Sequence, residues 1–111
     1  FNMTTAPEIW HKSLTPLGND IRQAIGDHPC YLTYDIDSLD PAYAPGTGTP
    51  EIGGLTTPQA MEFIRALRGL NIIGFDMVEV SPMYDTSGNT ALTAANLIFE
   101  ILSILPGVKF R

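Results

Sequence analysis

Between residues 37 and 54 the chain carries Pro41, Pro45 and Pro50 together with Gly46, Gly48, Gly53 and Gly54. Proline removes a backbone donor and glycine weakens any regular element, so this density of breakers excludes both helix and strand. A long ordered loop inside a compact domain is usually functional. Its flanks narrow the fold further. Cys30 to Ile36 reads as a buried strand that ends in carboxylates, and Ile72 to Val80 reads as a second one. Between them, Thr57 and Pro58 open a helix that runs to about Arg68, with Ala60, Met61, Ile64 and Leu67 on one stripe. Gly69 ends it. Upstream, Ser13 or Thr15 with Pro16 predicts a helix start, and Gly26 a stop after Ile25. Phe1 to Thr5 is expected to form a short strand. Strands alternating with helices imply right-handed βαβ units and a parallel sheet, the α/β class. Ligand sites in such sheets lie beyond the carboxyl ends of the strands.

A third helix is expected from Asn89 or Thr90 to about Leu105, stopped by Pro106 and Gly107. Its residues are apolar almost all round, and Glu100 is its one charge. Such a helix has to be covered on most sides. A chain of 111 residues offers little to cover it. The pattern therefore expects further chain or another subunit against this helix.

Composition sets outer limits. The length fits one domain. Twelve acidic against 6 basic residues give a net charge of −6, which lacks the electrostatic footprint of a nucleic-acid or anionic-membrane binder. The one cysteine, Cys30, excludes a disulfide framework within the chain and a four-cysteine zinc site. No apolar run is long enough to span a bilayer.

The acidic residues cluster at the strand ends. Asp35 and Asp37 are two apart, so on a continuing strand both would point to one face. Asp40 follows before Pro41, and Asp76 and Glu79 close the second strand. Carboxylates crowded on one rim repel, so either some protonate or a cation neutralises them. Oxygen-rich sites suit hard divalent cations such as Mg²⁺ or Mn²⁺. Solvated turn residues are the bland alternative, and Asp40 before Pro41 could serve a turn alone. Other candidates carry less. His11 and His28 lie away from the strand ends, and Cys30 reads as a small buried hydrophobe. Gly46-Thr-Gly48 lacks the third glycine and the lysine of phosphate loops. Trp10 reads as packing.

The run Tyr34-Asp-Ile-Asp-Ser-Leu-Asp-Pro-Ala-Tyr-Ala-Pro-Gly-Thr-Gly-Thr-Pro-Glu-Ile-Gly-Gly54 resembles a signature of the ureohydrolase (arginase/agmatinase) family. Asp76-Met-Val-Glu-Val-Ser-Pro82 resembles the second signature of that family, at a matching distance. The tail from Tyr84 to Asn96 looks more like agmatinases and guanidinobutyrases than arginases. The resemblance implies a three-layer α/β/α domain with a parallel sheet, of which residues 1–111 would be the C-terminal portion. It implies hydrolysis of a guanidino compound, of the agmatine or 4-guanidinobutyrate type, to urea and an amine by two Mn²⁺ ions. It also implies a homo-oligomer, trimeric or hexameric, in the cytoplasm or the mitochondrial matrix. Residue by residue, Asp35 resembles the carboxylate bridging both metals and Asp37 a second ligand to one of them. Glu79 resembles the residue that holds the guanidinium, and Thr49 a pocket residue. Asp76 and Asp40 are expected behind these groups.

Such residues suit the reaction. A guanidinium carbon is a poor electrophile, and two cations lower the pKa of bound water so that a nucleophile exists near neutral pH. A carboxylate such as Glu79 orients the planar cation through paired N–H···O bonds. The family takes its remaining ligands, and a proton-handling histidine, from Gly-Gly-Asp-His and Asp-Ala-His-x-Asp segments, which this chain lacks. The fragment alone is therefore expected to be inactive. Two other readings stand beside it. Asp-x-Asp after a strand also opens haloacid-dehalogenase-like phosphatases, although Leu39 stands where those want Thr or Val. A non-catalytic homologue would use the apolar helix in subunit assembly.

Overall fold

The computed structural model describes residues 2–109. In chain order the elements are α1 (Ala6–Ile9), α2 (Thr15–Ile25), β1 (Pro29–Asp35), α3 (Thr57–Ala66), β2 (Asn71–Val78) and α4 (Asn89–Ile104). Short 3₁₀ turns follow each strand, at Ile36–Ser38 and Pro82–Tyr84. The alternation read from the sequence is present, with ends displaced by one or two residues. The first expected strand is absent among the described residues. Asn2 to Thr5 is irregular rather than extended, and Phe1 lies outside the described residues. The chain instead makes α1, where Thr5 and Glu8 form a reciprocal cap at its start.

Local chemistry explains the other boundaries. Thr56 caps α3, accepting from the Gln59 N–H while the Gln59 side chain returns to Thr56. The expected serine or threonine cap of α2 is absent, because Leu14 occupies that position. Ser13 and Thr15 turn their hydroxyls to Glu62 on α3. Those two donors hold the Glu62 carboxyl at about 2, well below the usual carboxylate range.

β1 and β2 pair in parallel, from Pro29 opposite Asn71 to Asp35 opposite Val78, with an irregularity after Cys30. The long connection between them carries α3, as a parallel pair requires. One sheet face is packed. Tyr34 and Ile72 meet Ala60, Ile64 and Leu67 of the α3 region and Ala94, Leu97, Ile101 and Ile104 of α4 in a single core. Tyr31 and Ile73 stay exposed. α4 is likewise buried along one stripe, while Leu92, Phe99 and Leu102 face outward. Glu100 finds a bidentate partner in Arg65 of α3 at 2.6 and 2.8 Å. Among the described residues, no helix is long and apolar enough to cross a membrane.

Candidate functional site

The carboxyl ends of β1 and β2 carry the acidic rim. Asp35 is the last residue of β1, and its Oδ1 accepts the Asp37 N–H at 3.2 Å. The Ser38 hydroxyl donates to the Asp35 carbonyl at 2.7 Å. These local bonds turn the chain into the 3₁₀ segment Ile36–Ser38, because Asp and Ser side chains offer the backbone an alternative to the ladder. The expected same-face strand placement of Asp35 and Asp37 is thereby corrected. The two carboxylates are brought together by a turn, not by strand alternation. Desolvation raises the Asp35 pKa, the Asp37 N–H opposes this, and the charges of Asp37 and Glu79 raise it further.

Three residues of the rim come together through the loop. The Thr49 hydroxyl donates to Asp37 Oδ2 at 2.5 Å. Glu79 follows β2 with φ of 63°, left-handed backbone that a glutamate rarely adopts. A Cβ built on Gly48 would lie 4.0 Å from Glu79 Oε2, so the loop tip borders that carboxylate. Strain at a position of this kind is characteristic of functional sites.

Asp40 and Asp76 are placed differently. Asp40 Oδ1 accepts the Ala42 N–H at 2.9 Å and Oδ2 the Gly53 N–H at 2.8 Å. These two donors hold its carboxyl below the usual range. Asp40 closes the base of the loop, the turn role that the sequence left open for it. Asp76 lies on the sheet face opposite the core, where Oδ2 accepts the Tyr31 hydroxyl at 3.1 Å. Its Oδ1 is buried and has no partner among the described residues.

Sequence reasoning passed over a second set of groups, at the start of α4. Asp85 Oδ1 accepts from Ser87 N, Ser87 Oγ and Gly88 N at 2.9–3.1 Å, and Oδ2 from Thr90 N at 2.5 Å. The Thr90 N–H bond is the largest of the causes that bring this carboxyl down to about 2. The available signal was Asp85-Thr-Ser-Gly88, turn-forming residues directly before a helix.

Asp35 and Asp37 supply hard oxygen donors that fit a divalent cation in kind. Burial first, and then the charges of Asp37 and Glu79, raise the Asp35 pKa, and a cation would offset both. Among the described residues, no three His, Cys, Asp or Glu side chains converge to hold a metal ion.

Parallel strands joined through a helix, with acids beyond their carboxyl ends, define an α/β protein whose acidic rim lies where such sheets commonly bind ligands. The model of the arginase family matches residues 1–103, and the chain belongs to that family. It is 63% identical over 109 residues to a mitochondrial agmatinase of Gallus gallus, covering 98% of this chain and 32% of the relative. It is 62% identical over 111 residues to a guanidinobutyrase of Pseudomonas aeruginosa, covering all of this chain and 35% of the relative. In fold it matches the crystal structure of a hypothetical agmatinase from Burkholderia thailandensis with a TM-score of 0.88. The two are 44% identical, over 94% of this chain and 33% of that one. The chain thus spans about a third of the length of the relatives it matches. The arginase-like α/β fold is confirmed, and membership of this family displaces the phosphatase alternative.

Proposed function

We propose that residues 1–111 form the C-terminal segment of a single ureohydrolase domain. The complete domain hydrolyses a guanidino compound of the agmatine or 4-guanidinobutyrate type to urea and an amine. The observation that carries this reading is the meeting of Asp37 with Thr49, and of Glu79 with the Gly48 tip, on the rim that Asp35 closes. The identity to an agmatinase and a guanidinobutyrase supports the substrate class.

In this reading Asp35 and Asp37 contribute to holding two Mn²⁺ ions, with the other ligands coming from further chain. The bound cations supply the Lewis acidity that makes water nucleophilic near neutral pH. Asp37 keeps its orientation through the Thr49 hydroxyl. Glu79 receives the guanidinium by paired charge-assisted hydrogen bonds and fixes the plane of the reacting carbon. A C–O bond forms, one C–N bond breaks, and the leaving amine takes a proton. Asp76 stands behind the rim, one oxygen engaged by Tyr31 and the other left to accept from a donor elsewhere in the domain. The complete protein assembles as a homo-oligomer in the cytoplasm or mitochondrial matrix. The outward stripe of Leu92, Phe99 and Leu102 favours a second reading, a non-catalytic chain that serves subunit assembly.

The test is urea release from agmatine and from 4-guanidinobutyrate, with Mn²⁺, by the longest reading frame that carries this sequence. The 111-residue chain alone is expected to release none, and turnover by it would overturn the fragment reading. Glu79→Gln should lower kcat/KM on the order of a hundredfold or more while manganese content is retained, since it removes charge from a guanidinium partner. Equal loss of metal would remove Glu79 from the substrate role.

A further inference from the structure

We propose that Thr90, oriented by Asp85, is a positioning residue for the guanidine-hydrolysing rim, acting through the backbone of Gly46. The inference rests on the activity proposed above and adds the part of the fold that sets the loop tip.

Thr90 is fully buried at the start of α4. Its Oγ1 accepts the Gly46 N–H at 2.8 Å, and its own N–H is held by Asp85. The Gly46 carbonyl accepts the Ser81 N–H at 2.8 Å, two residues beyond Glu79. One residue of the loop is therefore fastened on one side to α4 and on the other to the segment leaving β2. The fit admits glycine alone, since a Cβ at position 46 would lie 2.5 Å from Asp85 Cβ and about 3 Å from Thr90.

Beyond Gly46 and Thr47 the tip is exposed from Gly48 to Ile52. Among the described residues, the Thr49 hydroxyl on Asp37 makes the one side-chain hydrogen bond of that stretch. The tip has no packing of its own to define it. Its place follows from its anchors, Gly46 at one end and Gly53 at the other. Thr49 lies three residues from the Gly46 anchor, and Gly48, which borders Glu79, lies two. Because Ser81 hangs from the carbonyl of the same residue, the anchor also fixes the spacing between the tip and the strained glutamate.

A mere helix cap would stabilise α4 and leave the rim alone. The Thr90 hydroxyl also helps to hold the Asp85 carboxylate. Thr90→Val therefore keeps the shape and the backbone N–H that Asp85 accepts, removes the oxygen that Gly46 needs, and is told from a lost cap by exchange within α4. Thr90→Ser restores that oxygen. In the full-length protein, Thr90→Val should raise hydrogen exchange of residues 43–49 about tenfold and leave residues 94–104 unchanged, as expected for a lost buried bond. KM for whichever guanidino compound is turned over should rise about tenfold with kcat within about threefold, and Thr90→Ser should return both to near wild type. Unchanged exchange at 43–49 would overturn the anchor. Faster exchange with an unchanged KM would overturn the positioning role. A wild-type protein that turns over no guanidino compound would overturn the activity itself, and the exchange measurement would still decide the anchor.

Discussion

The two halves of the breaker-rich loop differ in how they are held. From Leu39 to Thr47 the loop is sewn down. Leu39, Ala44, Gly46 and Thr47 are buried, Leu39 bridges to Leu55, and Asp40 ties the base to Gly53. From Gly48 to Ile52 every residue is exposed. The same proline and glycine chemistry thus yields a buried arm and an exposed tip, and the tip carries the residue that touches Asp37. Precision at an exposed group is supplied by the arm beside it, in keeping with the way sites on loops are held by a scaffold.

Breaking the arm should cost most. At Gly54 a Cβ would lie 2.6 Å from Asp40 N and Leu39 C, all backbone, so nothing can rotate away. Gly54→Ala is expected to lower stability by about 3 kcal/mol in urea denaturation. A loss below about 1 kcal/mol would show the arm to be looser than described.

The Asp85 clasp comes next and is read through pH. Its folded carboxyl sits at about 2, below the ordinary value near 4. The stability it contributes is therefore complete above pH ~4 and is lost as pH falls toward ~2. Denaturation midpoints of wild type and Asp85→Asn should differ most at pH 5 and above and converge toward pH 2. A gap that stays constant with pH would remove the carboxylate charge from the account. Glu62 titrates in the same window in both proteins and cancels in the comparison.

The tip should hardly matter to the fold. Thr49→Val and Ile52→Ser are each expected to change stability by less than about 0.5 kcal/mol in this chain, because both positions are exposed. Their functions should separate, since Thr49→Val removes the donor to Asp37 and weakens Mn²⁺ binding in the full-length protein, whereas Ile52→Ser does not. Equal effects of the two on metal binding would erase the distinction drawn between them.

Much of this was legible from residue pattern alone. Periodicity and the Thr57-Pro58 and Gly69 signals located α3, and the two apolar runs located the strands. The rim acids were found because strand ends are where α/β sheets bind ligands. What escaped had physical causes. α1 is four residues long and shows no repeat to read. Asp37 left the strand because the carboxylate of Asp35 recruited its N–H. The left-handed backbone at Glu79 has no signature in a residue that seldom adopts it. Thr90 looked like a helix start and nothing more, since its partner Gly46 lies 44 positions away. Long-range bonds to backbone leave no local trace in sequence.

The chain contains one tryptophan, and its place has a practical use. Trp10 donates its indole N–H to the Gly53 carbonyl at 2.7 Å, and its ring lies against Gly53 where the tip rejoins the arm. Excited beyond the tyrosine band, Trp10 in the 111-residue chain therefore watches the far anchor of the tip without any label. A shift in its emission during a manganese titration of that chain would tie the surroundings of the tip to cation binding at the rim.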